Sequence, residues 1–232
     1  MSKVFFTNME TTPEMGLLKK VEALLKRAGL EDVVQKDKLV AIKLHFGEYG
    51  NLAYIRPNYL RVIADQIKKL GAVPFLTDAN TLYKGSRSNA VDHITTASLN
   101  GFTMESVGVP VVIADGLRGS DEIDVEIEGD YIKKAKIASA IALADSLVVV
   151  SHFKGHEQTG FGGALKNIGM GSASRAGKME QHSESKPVVR EKNCVACGMC
   201  EKNCPTGAIT VDRVARIDYE VCIGCGQCIA MC

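Results

Sequence analysis

The sequence predicts an α/β protein with a mostly parallel sheet and helices on both faces, followed by a small α+β module rich in cysteine. Two observations carry that prediction. Apolar strand-like runs alternate with helix-period segments through the first part of the chain, the pattern of parallel βαβ units. All eight cysteines fall in the segment from Cys194 to Cys232. A length of 232 residues suits one to two domains. The expected division is an α/β domain over 1–171, a linker of Ser, Gly and mixed charge over 172–186, and the cysteine module over 187–232.

The elements follow in order. Thr12-Pro13-Glu14 opens a helix with Pro at its first position, Met15, Leu18, Val21, Leu25 and Ala28 share one face, and Gly29 ends it. Leu39 to Leu44 is a buried-type strand. Arg56-Pro57 starts a second helix carrying Leu60, Ile63, Ile67 and Leu70, stopped by Gly71. Val73 to Leu76 is the next strand, Asn89 to Asn100 a shorter helix, and Pro110 to Ala114 a strand. A hairpin is expected around Asp124 to Tyr131, a helix over Lys133 to Leu143, and a strand over Leu147 to Val150. Ala208 to Val211 and Val214 to Ile217 alternate around Asp212-Arg213 and read as a small hairpin.

Composition narrows the function classes. Lys plus Arg is 28 against 27 Asp plus Glu, so a nucleic-acid binder driven by bulk positive charge and a disordered acidic tail are both excluded. The apolar run from Ile137 meets Asp145 well short of the ~20 residues that cross a bilayer. The start, Met1 to Asn8, has no apolar core for a signal peptide. The expectation is a cytoplasmic protein with no membrane and no nucleic-acid partner.

The cysteines form two runs, Cys194-x2-Cys197-x2-Cys200-x3-Cys204-Pro205 and Cys222-x2-Cys225-x2-Cys228-x3-Cys232. Two intervening residues let one loop present three thiolates to three irons of a cubane, and the fourth cysteine serves the other cluster. Two [4Fe–4S] clusters are therefore expected, one on Cys194, Cys197, Cys200 and Cys232, the other on Cys222, Cys225, Cys228 and Cys204. A zinc ribbon would leave four cysteines without a task, and a disulfide framework would need an oxidising compartment. With every thiol a ligand, catalysis would fall to His, Lys, Asp, Glu or a bound cofactor. This part resembles bacterial two-cluster ferredoxins. The chain stops on a ligand, and the native sequence is expected to continue beyond Cys232.

In open parallel sheets ligands sit beyond the carboxyl ends of the strands. Polar and titratable residues gather at those points: His45, Gly47, Glu48 and Arg56; then Asp78, Asn80, Lys84 and Arg87; then Asp115 and Arg118; then the segment from Ser151 to Asn167. Loops are polar in any case, so a plain structural reading stands beside a site. Gly160, Gly162 and Gly163 supply backbone N–H groups for an oxyanion or phosphate, and Lys166 a point charge. The spacing is neither a Walker loop nor a Rossmann fingerprint. A purely structural glycine turn is the alternative. His152 and His156 would share a face on a helix and bind metal there, although the glycines argue against a helix, and acid–base use is the other option. Lys84 to Ser88 is a second candidate anion loop or a solvated basic one. His45 is a structural histidine or a ligand, while His93 and His182 read as structural or surface.

Lys43 to Glu48, Asp78 to Tyr83 and Gly155 to Lys166, ahead of the ferredoxin-like run, resemble an uncharacterised family of ferredoxin-associated proteins with a domain of unknown function. That resemblance covers nearly the whole chain and implies a ferredoxin inserted in an α/β domain that resumes after it. Tyr54-Ile55-Arg56-Pro57, and His156 ten residues before Lys166 across Phe161-Gly162-Gly163, are similar to signatures of the lactate racemase family. That likeness implies a nickel nucleotide cofactor, with His156 as metal ligand or acid–base group and Lys166 as anchor. No clear match to that family's other histidines is present.

Three functions are thus expected in competition. The first is an iron–sulfur oxidoreductase, or a component of one, passing electrons between a redox partner and a small anionic substrate. The second is a racemase-like cofactor enzyme with structural clusters. The third is an electron carrier that docks a partner enzyme.

Overall fold

A computed structural model of the chain describes residues 3–83, 85–130, 132–156, 159–182 and 186–232. The elements run α1 (Leu17–Arg27), α2 (Leu30–Val33), β1 (Leu39–Lys43), α3 (Pro57–Lys69), β2 (Val73–Asp78), α4 (Ala90–Leu99), α5 (Met104–Val107) and β3 (Val111–Ile113). Then come β4 (Glu122–Glu126), β5 (Lys134–Ala138), α6 (Ser139–Ala142), β6 (Ser146–Val149), β7 (Lys154–His156), β8 (Gly160–Gly162), α7 (Ala164–Gly169) and α8 (Arg175–His182). The cysteine module contributes α9 (Met199–Lys202), β9 (Ile209–Val211), β10 (Ala215–Ile217) and α10 (Gln227–Met231).

The main sheet has the order β3-β2-β1-β6 and every pairing in it is parallel. Ile42 sits opposite both Leu76 and Val148. On one face Val40, Ile42, Leu44 and Leu76 enter a core shared with Leu60, Ile63, Ala64 and Ile67 of α3, with Phe102 and Val107 beside them. That helix follows its sequence signals: Pro57 occupies the first turn, the apolar residues recur at helical spacing, and Gly71 leaves in the left-handed region. Lys43 points to the opposite face, where it reaches Asn167 of α7. The α/β expectation holds, with a parallel sheet flanked by helices.

Three expectations fail locally. The first helix begins at Leu17, not Thr12, because Met15 N–H closes a turn on the Thr12 carbonyl (3.2 Å) and Gly16 is extended at φ −76°, ψ 169°. Residues 134–138 are a strand rather than helix. Lys and Ala favour a helix, but Ile137 pairs with Ile123 and Ala135 with Val125, and this cross-strand packing wins. The strand also seats Lys136 between Glu122 and Asp124.

The stretch read as a linker is built into the fold up to His182. Ser172, Ala173 and Ser174 are buried, and they bond the edge of β5 through Ala138 N–H to Ser172 O and Ser174 N–H to Lys136 O. The helix α8 follows directly. Gly177 is required by the close approach: a Cβ there would lie 2.6 Å from the Lys136 carbonyl oxygen. The composition looked like a linker because its small residues serve close packing. Residues 183–185 and Tyr131 lie outside the described residues.

In the cysteine module the expected hairpin is present, with Ile217 opposite Ile209, and Ala208, Ile209 and Ala215 are buried. Among the described residues no helix is long and apolar enough to cross a membrane.

Candidate functional site

The carboxyl ends of the sheet strands converge on a cavity of about 460 Å³. Its lining includes five cationic side chains, Lys43, Arg87, Lys154, Lys166 and Lys178, against one carboxylate, Asp78. Each cation comes from a different element or turn, so the charge is assembled by the fold.

Asp78, at the end of β2, is the hub. Its Oδ1 lies 2.8 Å from Lys43 Nζ and its Oδ2 lies 3.0 Å from Arg87 NH1, all three side chains being at most 5% exposed. His93 Nε2 is 3.5 Å away from the same Oδ2. Burial alone would raise the Asp78 carboxyl, but Lys43, His93 and Arg87 outweigh it and hold the group well below the usual carboxylate range. Lys43 also donates to Asn167 Oδ1 at 2.6 Å, tying the strand end to α7. Arg87 continues the network to Glu48, whose carboxylate also accepts from Ser86 Oγ at 3.1 Å and Tyr83 OH at 3.2 Å. Asp115, after β3, accepts from Asn80 N–H (2.9 Å) and Asn80 Nδ2 (2.8 Å), and burial raises its carboxyl.

Around this fixed base lie the groups that face the cavity. Burial, with the Arg87 charge second, pushes His45 down to about 3, so its ring is neutral. Its Nδ1 accepts from Gly47 N–H at 2.9 Å, which leaves the ring proton on Nε2. Burial also lowers Lys154 and Lys166, helped by Arg87 for the first and by Lys154 itself for the second. Lys166 Nζ rests on the His156 imidazole, 3.2 Å from Nδ1. Lys178 donates to the Ala173 carbonyl at 2.5 Å, and burial pushes it down to about 8. His152 Nδ1 is buried in the same wall. Ammonium groups crowded in one partly dry cavity favour an anion that neutralises them.

Of the residues singled out in the sequence, His45, Asp78, Arg87, His152, His156, Gly162, Gly163 and Lys166 line this cavity. Arg56 does not: it caps α3 in extended backbone. Gly160 is exposed at the tip of the β7–β8 hairpin, with His156 as its strand partner. Gly160 to Gly162 pair with Lys154 to His156 in that hairpin, and His152 and His156 share no helix face because residues 154–156 are strand. Lys84 lies outside the described residues. Arg87 is not part of a solvated basic loop; it is buried in the Asp78–Glu48 network. His182, read as structural or surface, is a cavity residue. Sequence reasoning missed Lys43 and Lys178. A lysine inside an otherwise apolar strand run was the signal for the first, and nothing local marked the second.

The cysteine module reaches the same cavity through Cys225, Gly226 and Gln227. All eight thiols are free of disulfides. Burial raises the Cys200 thiol, with Cys197 and Cys194 adding to the rise, and burial raises Cys225, with Cys204 and Cys222 adding to it. Cys204 thus lies within electrostatic range of the second run. Gly198 and Gly226 both take φ 73° at the start of α9 and α10, the same local turn in both runs. Ala215 N–H points at Cys194 Sγ at 3.3 Å. Among the described residues no three His, Cys, Asp or Glu side chains converge to hold a single metal ion. Thiols around a cubane each meet a different iron, so this donor set suits a cluster better than a lone ion.

Comparison with known proteins agrees in the C-terminal region. It is 48% identical over 54 residues to a component of the ion-translocating oxidoreductase complex of Methanosarcina acetivorans, covering 22% of this chain and 20% of that protein. It is 35% identical over 60 residues to the pyruvate synthase subunit PorD of Methanothermobacter marburgensis, covering 26% of this chain and 72% of that protein. The ketoisovalerate oxidoreductase subunit VorD of Pyrococcus furiosus is 49% identical over 41 residues, 17% of this chain and 39% of that protein. The chain spans about a fifth of the length of the first of these relatives. No solved structure matches the chain. A family model matches residues 40–220, most of the α/β domain together with much of the cysteine module, and on that extent the chain belongs to DUF362, a domain of unknown function.

Proposed function

We propose that this chain is an iron–sulfur oxidoreductase component that exchanges single electrons with a small anion held in the α/β cavity. The observation that carries the reading is that one cavity is lined both by the cationic wall and by Cys225, Gly226 and Gln227. The working division is an α/β unit that binds and a cysteine module that relays, with Cys194, Cys197, Cys200 and Cys232 on one [4Fe–4S] cluster and Cys222, Cys225, Cys228 and Cys204 on the other. When bound, the clusters supply one-electron carriers whose potentials follow their hydrogen bonds, charge and exposure.

The chain's own residues divide the remaining work. Lys154 and Lys166 attract the anion into the cavity. The neutral His45 offers its Nε2 proton as a hydrogen bond without adding charge. Lys43, Asp78 and Arg87 are a buried network that keeps the wall in place. Asn167 couples β1 to α7, so the Lys166 side of the wall keeps its distance from the strand ends.

The test is an anaerobic redox titration of the full chain followed by electron paramagnetic resonance, with and without inorganic phosphate as a cavity probe. Two one-electron signals are expected, with phosphate altering at least one of them. Redox-silent protein would overturn the electron-transfer reading, and signals indifferent to saturating phosphate would overturn the cavity reading.

A further inference from the structure

The two cysteine runs have the same spacing and the same turns but different surroundings. Val195 is 83% exposed, whereas its counterpart Ile223 is partly buried. Cys197 is exposed and Cys225 is not. Gly198 is partly buried, and Gly226 is buried. Met199 is 39% exposed, whereas Gln227 lines the cavity. Ala196 and Gly224 both have positive φ, 52° and 67°, so the two runs share a backbone while their exposure differs at these positions.

We infer that the two runs are opposite terminals of one relay. The run from Cys222 to Cys228 is the terminal that faces the anion in the cavity. The run from Cys194 to Cys200 is the terminal that meets an external one-electron carrier protein across Val195, Cys197 and Met199. This rests on the electron-transfer reading above and adds the port to it. Each transfer moves one electron: the carrier is oxidised by one and the bound anion reduced by one, or the reverse, and no bond forms within the relay. Electron transfer falls steeply with distance, so the exposed thiolate edge serves the carrier and the enclosed edge serves the ligand. A hydrophobic valine and methionine around an exposed thiol suit the apolar centre of a small transient interface, which weak redox encounters use.

Two matched substitutions test the assignment, Val195→Glu and Gln227→Glu, each in the full chain purified without oxygen and checked for wild-type iron content. Reduction by a reduced bacterial two-cluster ferredoxin is followed by stopped flow. Val195→Glu is expected to slow it by about fivefold or more relative to Gln227→Glu, as a charge placed in an encounter surface does. In turn, Gln227→Glu is expected to abolish the phosphate-induced change in the resonance signal, which Val195→Glu retains. Equal rates in the two variants, or slower reduction of Gln227→Glu, would overturn the port assignment while leaving the relay standing. Absence of iron in the wild-type chain would instead overturn the reading beneath it.

Discussion

The two halves of the site are held together by different physics. In the cysteine module the ligands sit on short local turns, and three of each four cysteines span only seven residues. In the cavity the charged wall is joined by contacts that cross the chain: Lys43 bonds Asn167 at a separation of 124 residues, and Arg87 meets Glu48 at 39. On the reading proposed above, the first half is completed by an inorganic core, whereas the second needs a folded sheet. A local turn is robust to distant change and, if it holds a cluster as proposed, fragile to its loss. A long-range ion network is the reverse.

Removal of iron should produce the largest effect. Chelation without oxygen is expected to unfold the module over 187–232 and spare the sheet, because ligand chemistry supplies folding energy that a small core lacks. Limited proteolysis read by mass spectrometry would show cuts confined to the cysteine module. Cuts spread equally into residues 39–150 would erase the contrast.

Asp78→Asn should act in the opposite half. It leaves Lys43 and Arg87 buried beside a neutral amide, and loss of one partner in a buried network costs about 3–5 kcal/mol. The pH dependence follows from the depressed carboxyl. Its stabilisation is fully present above the usual aspartate value of 3.8 and is lost as pH falls toward the lower folded value. Chemical denaturation should therefore show a steep acid limb in the wild type and a flatter one in the variant.

Smaller effects probe the cavity itself. Lys166→Ala or His156→Ala should weaken phosphate binding by about tenfold, the loss of one charge-assisted hydrogen bond, with both cluster signals intact. Calorimetry that finds unchanged affinity in both would remove these residues from the site. Lys178 titrates near 8 in the fold against a usual 10.5, so between those values the unfolded chain holds a proton that the native state lacks. Stability should rise with pH across that window, and Lys178→Met should shrink the rise. The smallest change is Ala196→Gly in the half-buried turn position at φ 52°, expected to stabilise the module by about 1 kcal/mol by relieving a left-handed alanine.

These contrasts also explain what could be read in advance. The cysteine runs announce themselves by one spacing written twice, and the strands and long helices carry simple periodicities with Pro57, Asn89 and Gly71 as punctuation. The strand-end rule located most of the cavity, including Asp78, His156 and Lys166. It did not locate Lys178 or His182, because a helix of small and polar residues packed on β5 has the composition of a linker. Arg56, singled out for following the first strand, takes the N-cap position of α3 instead and does not line the cavity. Lys134 to Ala138 fits a helix by propensity, and only the pairing with β4 decides its state.

An iron–sulfur relay and an anion cavity that share one wall stand or fall on the inorganic core. The most direct test is elemental and acid-labile sulfide analysis of the full chain purified without oxygen. About eight irons and eight sulfides per chain are expected. A chain that binds one zinc, or no metal at all, while keeping its sheet would contradict the relay.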